Sequence, residues 1–196
     1  YLSRAATLFP DSYQNITTLV IGNSVTNIPD WAFSGCANLA SVTIGNSLTS
    51  ISWDAFRGCT NLLSITIPDS VTSIGDGAFW GCTGLTGLAI PDSVTGIGES
   101  AFNGCTNLNS VSIGNGVTNV GANAFSECSR IENVTWNANL LQAATVFPDS
   151  FQNITTFIIG GNVTDIPDMA FSGSTSLTHV TIPDSLTYIG DLAFRD

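Results

Sequence analysis

The sequence predicts a solenoid, a chain wound into coils of 23 residues whose short strands stack into a parallel sheet on one face while turns close the other. Three observations predict it. The Phe of an Ala-Phe pair recurs at Phe33, Phe56, Phe79, Phe102, Phe125, Phe171 and Phe194, in steps of 23 with one double step between Phe125 and Phe171. The aliphatic residue five positions earlier keeps the same beat at Ile28, Ile51, Ile74, Ile97, Val120, Ile166 and Ile189. So do Leu39, Leu62, Leu85, Leu108, Ile131, Ile154 and Leu177, and no insertion or deletion breaks the register.

Within a coil, the segment ending in Val42-Thr43-Ile44 or Ile65-Thr66-Ile67 alternates apolar and polar residues, the pattern of a short strand with one buried face. Strands that return every 23 residues lie parallel, about 4.8 Å apart. Gly45-Asn46, Pro68-Asp69, Pro91-Asp92, Gly114-Asn115 and Pro183-Asp184 then supply turn chemistry. A second extended piece, V-T-x-I, follows. The next segment carries Gly on both flanks and has room for a turn or so of helix before the chain comes back.

Stacking follows from energetics. About eight apolar side chains per coil point inward, at the positions of Val25, Ile28, Ala32, Phe33, Cys36, Leu39, Val42 and Ile44. Burying each large one gains roughly 1.5–3 kcal/mol. Ordering a coil's backbone costs about 1–2 kcal/mol per residue. One coil's own burial does not offset its ordering, so a coil is stable only when its neighbours cover it.

The unit I-G-x-x-A-F-x-G-C-T-x-L-x-x-V-x-I-P-D-S-V-T-x resembles the bacterial leucine-rich repeats of the BspA-like type, and seven units carry its Ala-Phe pair. The resemblance implies a leucine-rich-repeat solenoid, an α/β-type right-handed superhelix. It covers residues 1–196 as a single domain of about eight coils, truncated at both ends, since the terminal DLAFRD stops partway through a unit. It also implies a secreted or surface protein that adheres to other components.

A longer period lies above the first. Residues 5–22 recur as 143–160, an offset of 138 or six units, making atypical coils near 5–27 and 143–165. Neither has the Ala-Phe pair. Pro148 falls in the Phe position, while Tyr13 and Phe151 fall in the Cys position. A compensating swap is expected, with the aromatic ring entering the core from the Cys position.

Composition narrows the function. Apolar residues are 43% of the chain and charged residues 10%, the reverse of a disordered segment. Net charge is −11, with four Arg and no Lys. Nucleic acids and anionic membrane surfaces demand clustered cations, so neither is an expected partner. No apolar run is long enough for a membrane span.

Several constellations invite chemistry. Cys36, Cys59, Cys82, Cys105 and Cys128 keep the repeat spacing. Stacked side chains project in parallel, whereas a disulfide needs converging Cβ vectors, so buried free thiols are expected and no metal site. Asp69, Asp92 and Asp184 alternate with Asn46 and Asn115, which points to local acceptors in a turn. His179, the single His, shares its position with Ser41, Ser64 and Ser110 on the strand face, so no catalytic residue is assigned and no cofactor is expected. The outward strand positions form a flat hydroxyl-rich ladder of Ser41, Thr43, Ser64, Thr66, Ser110, Ser112, Thr135, Thr156, His179 and Thr181, interrupted at Gly87 and Ala89. An exposed strand face favours such residues, and the same face is a candidate docking surface. Trp31, Trp53 and Trp80 fall on the turns of three consecutive coils as a candidate aromatic patch for sugars or protein.

The expected function is therefore an extracellular or cell-surface binding and adhesion module, non-enzymatic, that presents its surface to a protein or glycan. The rival expectation is a building block of a surface fibre or layer, with self-association through open strand edges at the solenoid ends. A third is a targeting module for an enzyme domain elsewhere in a longer parent.

Overall fold

The structure is a computed structural model that describes residues 13–138 and 143–195. Positions 5–12 of the super-repeat's first copy lie outside the described residues. Strands fall into a longer set of three or four residues and a shorter set of two. In chain order they are β1 (Thr18–Ile21), β2 (Asn27–Ile28), β3 (Ser41–Ile44), β4 (Ser50–Ile51), β5 (Ser73–Ile74), β6 (Gly87–Ile90), β7 (Gly96–Ile97), β8 (Ser110–Ile113), β9 (Asn119–Val120), β10 (Asn133–Trp136), β11 (Thr156–Ile159), β12 (Asp165–Ile166), β13 (His179–Thr181) and β14 (Tyr188–Ile189). The longer strands form the main stack and the two-residue strands a second one, all parallel. Register equals the repeat: Ser110 faces Asn133 and Gly87 faces Ser110. The solenoid predicted from the 23-residue beat is thus the observed fold.

One predicted strand is missing. Residues 64–67 pair with neither neighbour, so the main stack divides into β1-β3 and β6-β8-β10-β11-β13. Ile65 and Ile67 remain buried, so the apolar alternation survives without the ladder. Pro68 removes one rung. In the equivalent place the Gly45 N–H donates to Ile21 O at 2.8 Å, and proline has no N–H to give.

Helix is sparse among the described residues: α1 (Ala143–Val146) and the 3-10 turns Tyr13–Asn15 and Phe151–Asn153. Those two turns are 138 residues apart, so the super-repeat is expressed in structure. Elsewhere the return segment is held by two left-handed residues per coil. One position holds Trp31, Asp54, Gly77, Ser100, Asn123, Met169 and Leu192 at positive φ. The other holds Gly35, Gly58, Gly81, Gly104 and Gly173, with Glu127 (φ 62) the exception.

The core is built in columns. Phe33, Phe56, Phe79, Phe102 and Phe125 stack with ring centroids 5.2–5.4 Å apart. At the atypical coil the ring that continues this column is Phe147, 5.2 Å from Phe125 and fully buried. The expected aromatic from the Cys position is present, since Phe151 is buried there, and the Phe column is in addition filled by Phe147, the residue just before Pro148. Trp136 packs edge-on against Phe147 at 6.1 Å.

Hydrogen bonds tie each coil to the next. The Thr of V-T-x-I donates from Oγ1 to its counterpart's carbonyl one coil earlier, as Thr49 to Thr26 at 2.9 Å and Thr118 to Thr95 at 3.1 Å. Asp92 Oδ1 accepts from Asn115 N at 2.8 Å, and Asn23 Oδ1 from Asn46 N at 3.0 Å. The acidic turn residues were expected to be local acceptors; at Asp92 the acceptor instead serves the following coil, since the stacked backbone brings an N–H within reach 23 residues later.

Candidate functional site

Two regions gather side chains into a recess. The first lies on the main strand face. A groove of about 470 Å³ is lined by Gly87, Ala89, Ser110, Ser112, Asn133, Thr135, Thr156 and Ile158, with Ile65 at its edge. Its origin is local. The outward positions of β6 are Gly87 and Ala89, so that strand lacks the side chains that stand up from β8, β10 and β11. A Cβ at residue 87 would stand 3.2 Å from Ser110 Oγ, so a side chain there would crowd that hydroxyl. The predicted flat ladder is therefore hollowed where the hydroxyl row is interrupted.

Of the ladder residues, the structure brings together Ser110, Ser112, Thr135 and Thr156. Ser41 and Thr43 are exposed on β3 but do not line the groove. Ser64 and Thr66 are exposed in the unpaired segment, which removes them from the strand ladder. His179 and Thr181 are exposed on β13, with His179 Nε2 3.4 Å from Thr181 Oγ1. Asn133 and Ile158 belong to the site as well, and their place was set by the same period.

The second region lies on the turns. Trp31 meets Trp53 edge-on at 5.1 Å. The Arg57 guanidinium sits 3.7 Å from the centre of the Trp80 ring and 5.8 Å from that of Trp31. Arg57 Nη1 donates to Asp54 Oδ2 at 3.5 Å, and this is the one ion pair among the described residues. Asp54 is buried, and its Oδ1 has no partner among the described residues. Desolvation pushes the Asp54 carboxyl above its usual range against the pull of Arg57. A groove of about 280 Å³ runs between Trp53, Arg57, Trp80, Asp76 and Glu99. Arg57 and Asp54 were not singled out from the sequence. The signal was present: Arg57 and Trp80 are 23 residues apart, hence one above the other.

The cysteine column is chemically closed. All five thiols are free and buried. Burial, and then the neighbouring Cys59, push the Cys36 thiol up from 9.0 to about 11. Among the described residues no three His, Cys, Asp or Glu side chains gather as a metal site, and no helix is long and apolar enough to cross a membrane.

Comparison with known proteins agrees with the geometry. The BspA type leucine rich repeat region matches residues 6–88 and 72–196, in six copies. The crystal structure of a leucine rich repeat protein of T. pallidum is similar at 25% identity and TM-score 0.61, over 89% of this chain and 73% of that one. A leucine rich cell surface protein of Faecalibacterium prausnitzii is similar at 28% identity and TM-score 0.51, over 91% of this chain and 57% of that one. No match is found among curated proteins. With the repeat matched along nearly its whole length and the stacked parallel strands in place, the chain belongs to the BspA-type leucine-rich repeat proteins.

Proposed function

We propose that this chain is a cell-surface or secreted adhesion module that captures a protein partner in the groove over Gly87 and Ala89. The observation that carries the reading is the groove itself: an open recess of about 470 Å³ in a hydroxyl-lined strand face. Ser110, Ser112, Thr135 and Thr156 offer donors and acceptors around it, and the exposed Ile158 offers an apolar contact. Such a surface suits an extended segment or loop whose backbone can hydrogen-bond to hydroxyls while a side chain fills the hollow. The similarity to a cell surface protein of Faecalibacterium prausnitzii supports the location. No step of this reading uses catalysis.

The experiment is capture on an array of purified extracellular proteins, with Ala89→Arg and Ser112→Arg as groove-filling variants. Both positions lie on the outer face of their strands, so melting should be unchanged. Binding is expected to fall at least tenfold. Capture by both variants at wild-type strength would rule the groove out.

A further inference from the structure

The turn cluster has no part in that groove, and its composition is specific. Trp53 and Trp80 are large rings left 51% and 39% exposed. One face of Trp80 is covered by the chain's own Arg57, so the cation that an aromatic face attracts is already supplied. Arg57 hydrogen-bonds Asp54 through Nη1, and its remaining N–H groups meet no other acceptor among the described residues. Asp76 Oδ1 accepts from the Glu99 N–H at 2.8 Å, which leaves Oδ2 and the Glu99 carboxylate as acceptors on the groove.

Asp54 adds an independent sign. Its carboxylate is buried with one oxygen unpartnered while the other accepts from Arg57, and the next coil fills the same position with Gly77. Burying a carboxylate with an unmet oxygen costs stability, and here it holds Arg57 over Trp80.

An open ring face, fixed guanidinium donors and carboxylate acceptors suit a ligand with an apolar face ringed by hydroxyls that both give and accept protons. Arg57 already occupies the Trp80 face that a cation would seek, and Asp76 with Glu99 repels an anion. We propose that this cluster binds a neutral saccharide, with Trp53 as the stacking platform, Arg57, Asp76 and Glu99 as hydrogen-bonding groups, and Asp54 as the positioning residue for Arg57.

Isothermal titration of the whole chain tests it, using neutral hexose and N-acetylhexosamine tetrasaccharides beside penta-lysine and tetragalacturonate. At least one neutral tetrasaccharide should bind, and Trp53→Ala and Arg57→Ala should each weaken it tenfold or more, Trp53→Ala with melting unchanged and Arg57→Ala with a lower melting temperature because it leaves the buried Asp54 without its ion-pair partner. Asp54→Gly, which installs the residue of the next coil, should weaken it at least fivefold while the melting temperature holds or rises. Ala89→Arg should leave it unaltered, which separates this site from the strand-face groove. Absence of binding by every neutral tetrasaccharide, undiminished affinity in Trp53→Ala, or preference for penta-lysine or tetragalacturonate would each overturn the proposal.

Discussion

The thiol of Cys82 donates to the carbonyl oxygen of Phe56, 3.1 Å away in the preceding coil. Cys59 does the same to Phe33 at 3.3 Å, Cys105 to Phe79 at 3.4 Å and Cys128 to Phe102 at 3.1 Å. The column therefore joins coils as well as filling space. Cys82→Ala should lower stability by about 1–2 kcal/mol, from a lost hydrogen bond and a small void. Cys82→Ser should not rescue it, because the shorter C–O bond holds the hydroxyl back from Phe56 O. Urea midpoints of the two variants check both statements.

The same thiols set an alkaline limit. Burial raises the Cys36 thiol to about 11 against 9.0 unperturbed, and Cys82 and Cys105 are raised as well. Below the unfolded value both states keep the proton and stability is at its full level. Above it the unfolded chain releases protons that the native chain retains, so stability falls with rising pH. Melting temperature should be flat to about pH 9 and decline toward pH 11. A Cys36→Ala, Cys82→Ala, Cys105→Ala triple variant should show a shallower decline.

Phe79 lies between Phe56 and Phe102 at 5.3 and 5.2 Å. Phe79→Ala should remove about 3–5 kcal/mol. Because each coil is stabilised by its neighbours, the loss should split one cooperative transition into two. Calorimetry would show a broadened or double endotherm.

Glu127 occupies the glycine position at φ 62. Its N–H, which donates to Asp149 Oδ2 at 2.6 Å, is kept by any residue. Glu127→Gly should therefore stabilise by about 0.5–1 kcal/mol, relief of the left-handed backbone outweighing the entropy of glycine. The shift in melting temperature measures it.

How far the sequence reached follows from what repeats. The Phe, Cys and Leu columns and the strand register were legible because each is an identity of residue type at constant spacing. The Arg57–Trp80 stack was legible in spacing but hidden in type, since its two members differ. The strand-face hollow was hidden in another way. Gly87 and Ala89 looked like gaps in a row of hydroxyls, and only the heights of the flanking side chains turn a gap into a recess. The unpaired segment at 64–67 keeps its apolar alternation, so periodicity cannot distinguish it from its paired neighbours. The thiol donors link residues 26 apart, a separation that no motif announces because it is three residues longer than the repeat.

Single-file free thiols also make this molecule its own reporter. Cys36, Cys59, Cys82, Cys105 and Cys128 each sit in a different coil and are sealed from solvent. An alkylating reagent reaches any one of them only while that winding breathes. Mass spectrometry of partially labelled chains would thus chart, winding by winding, where the array loosens first under load, heat or a bound partner.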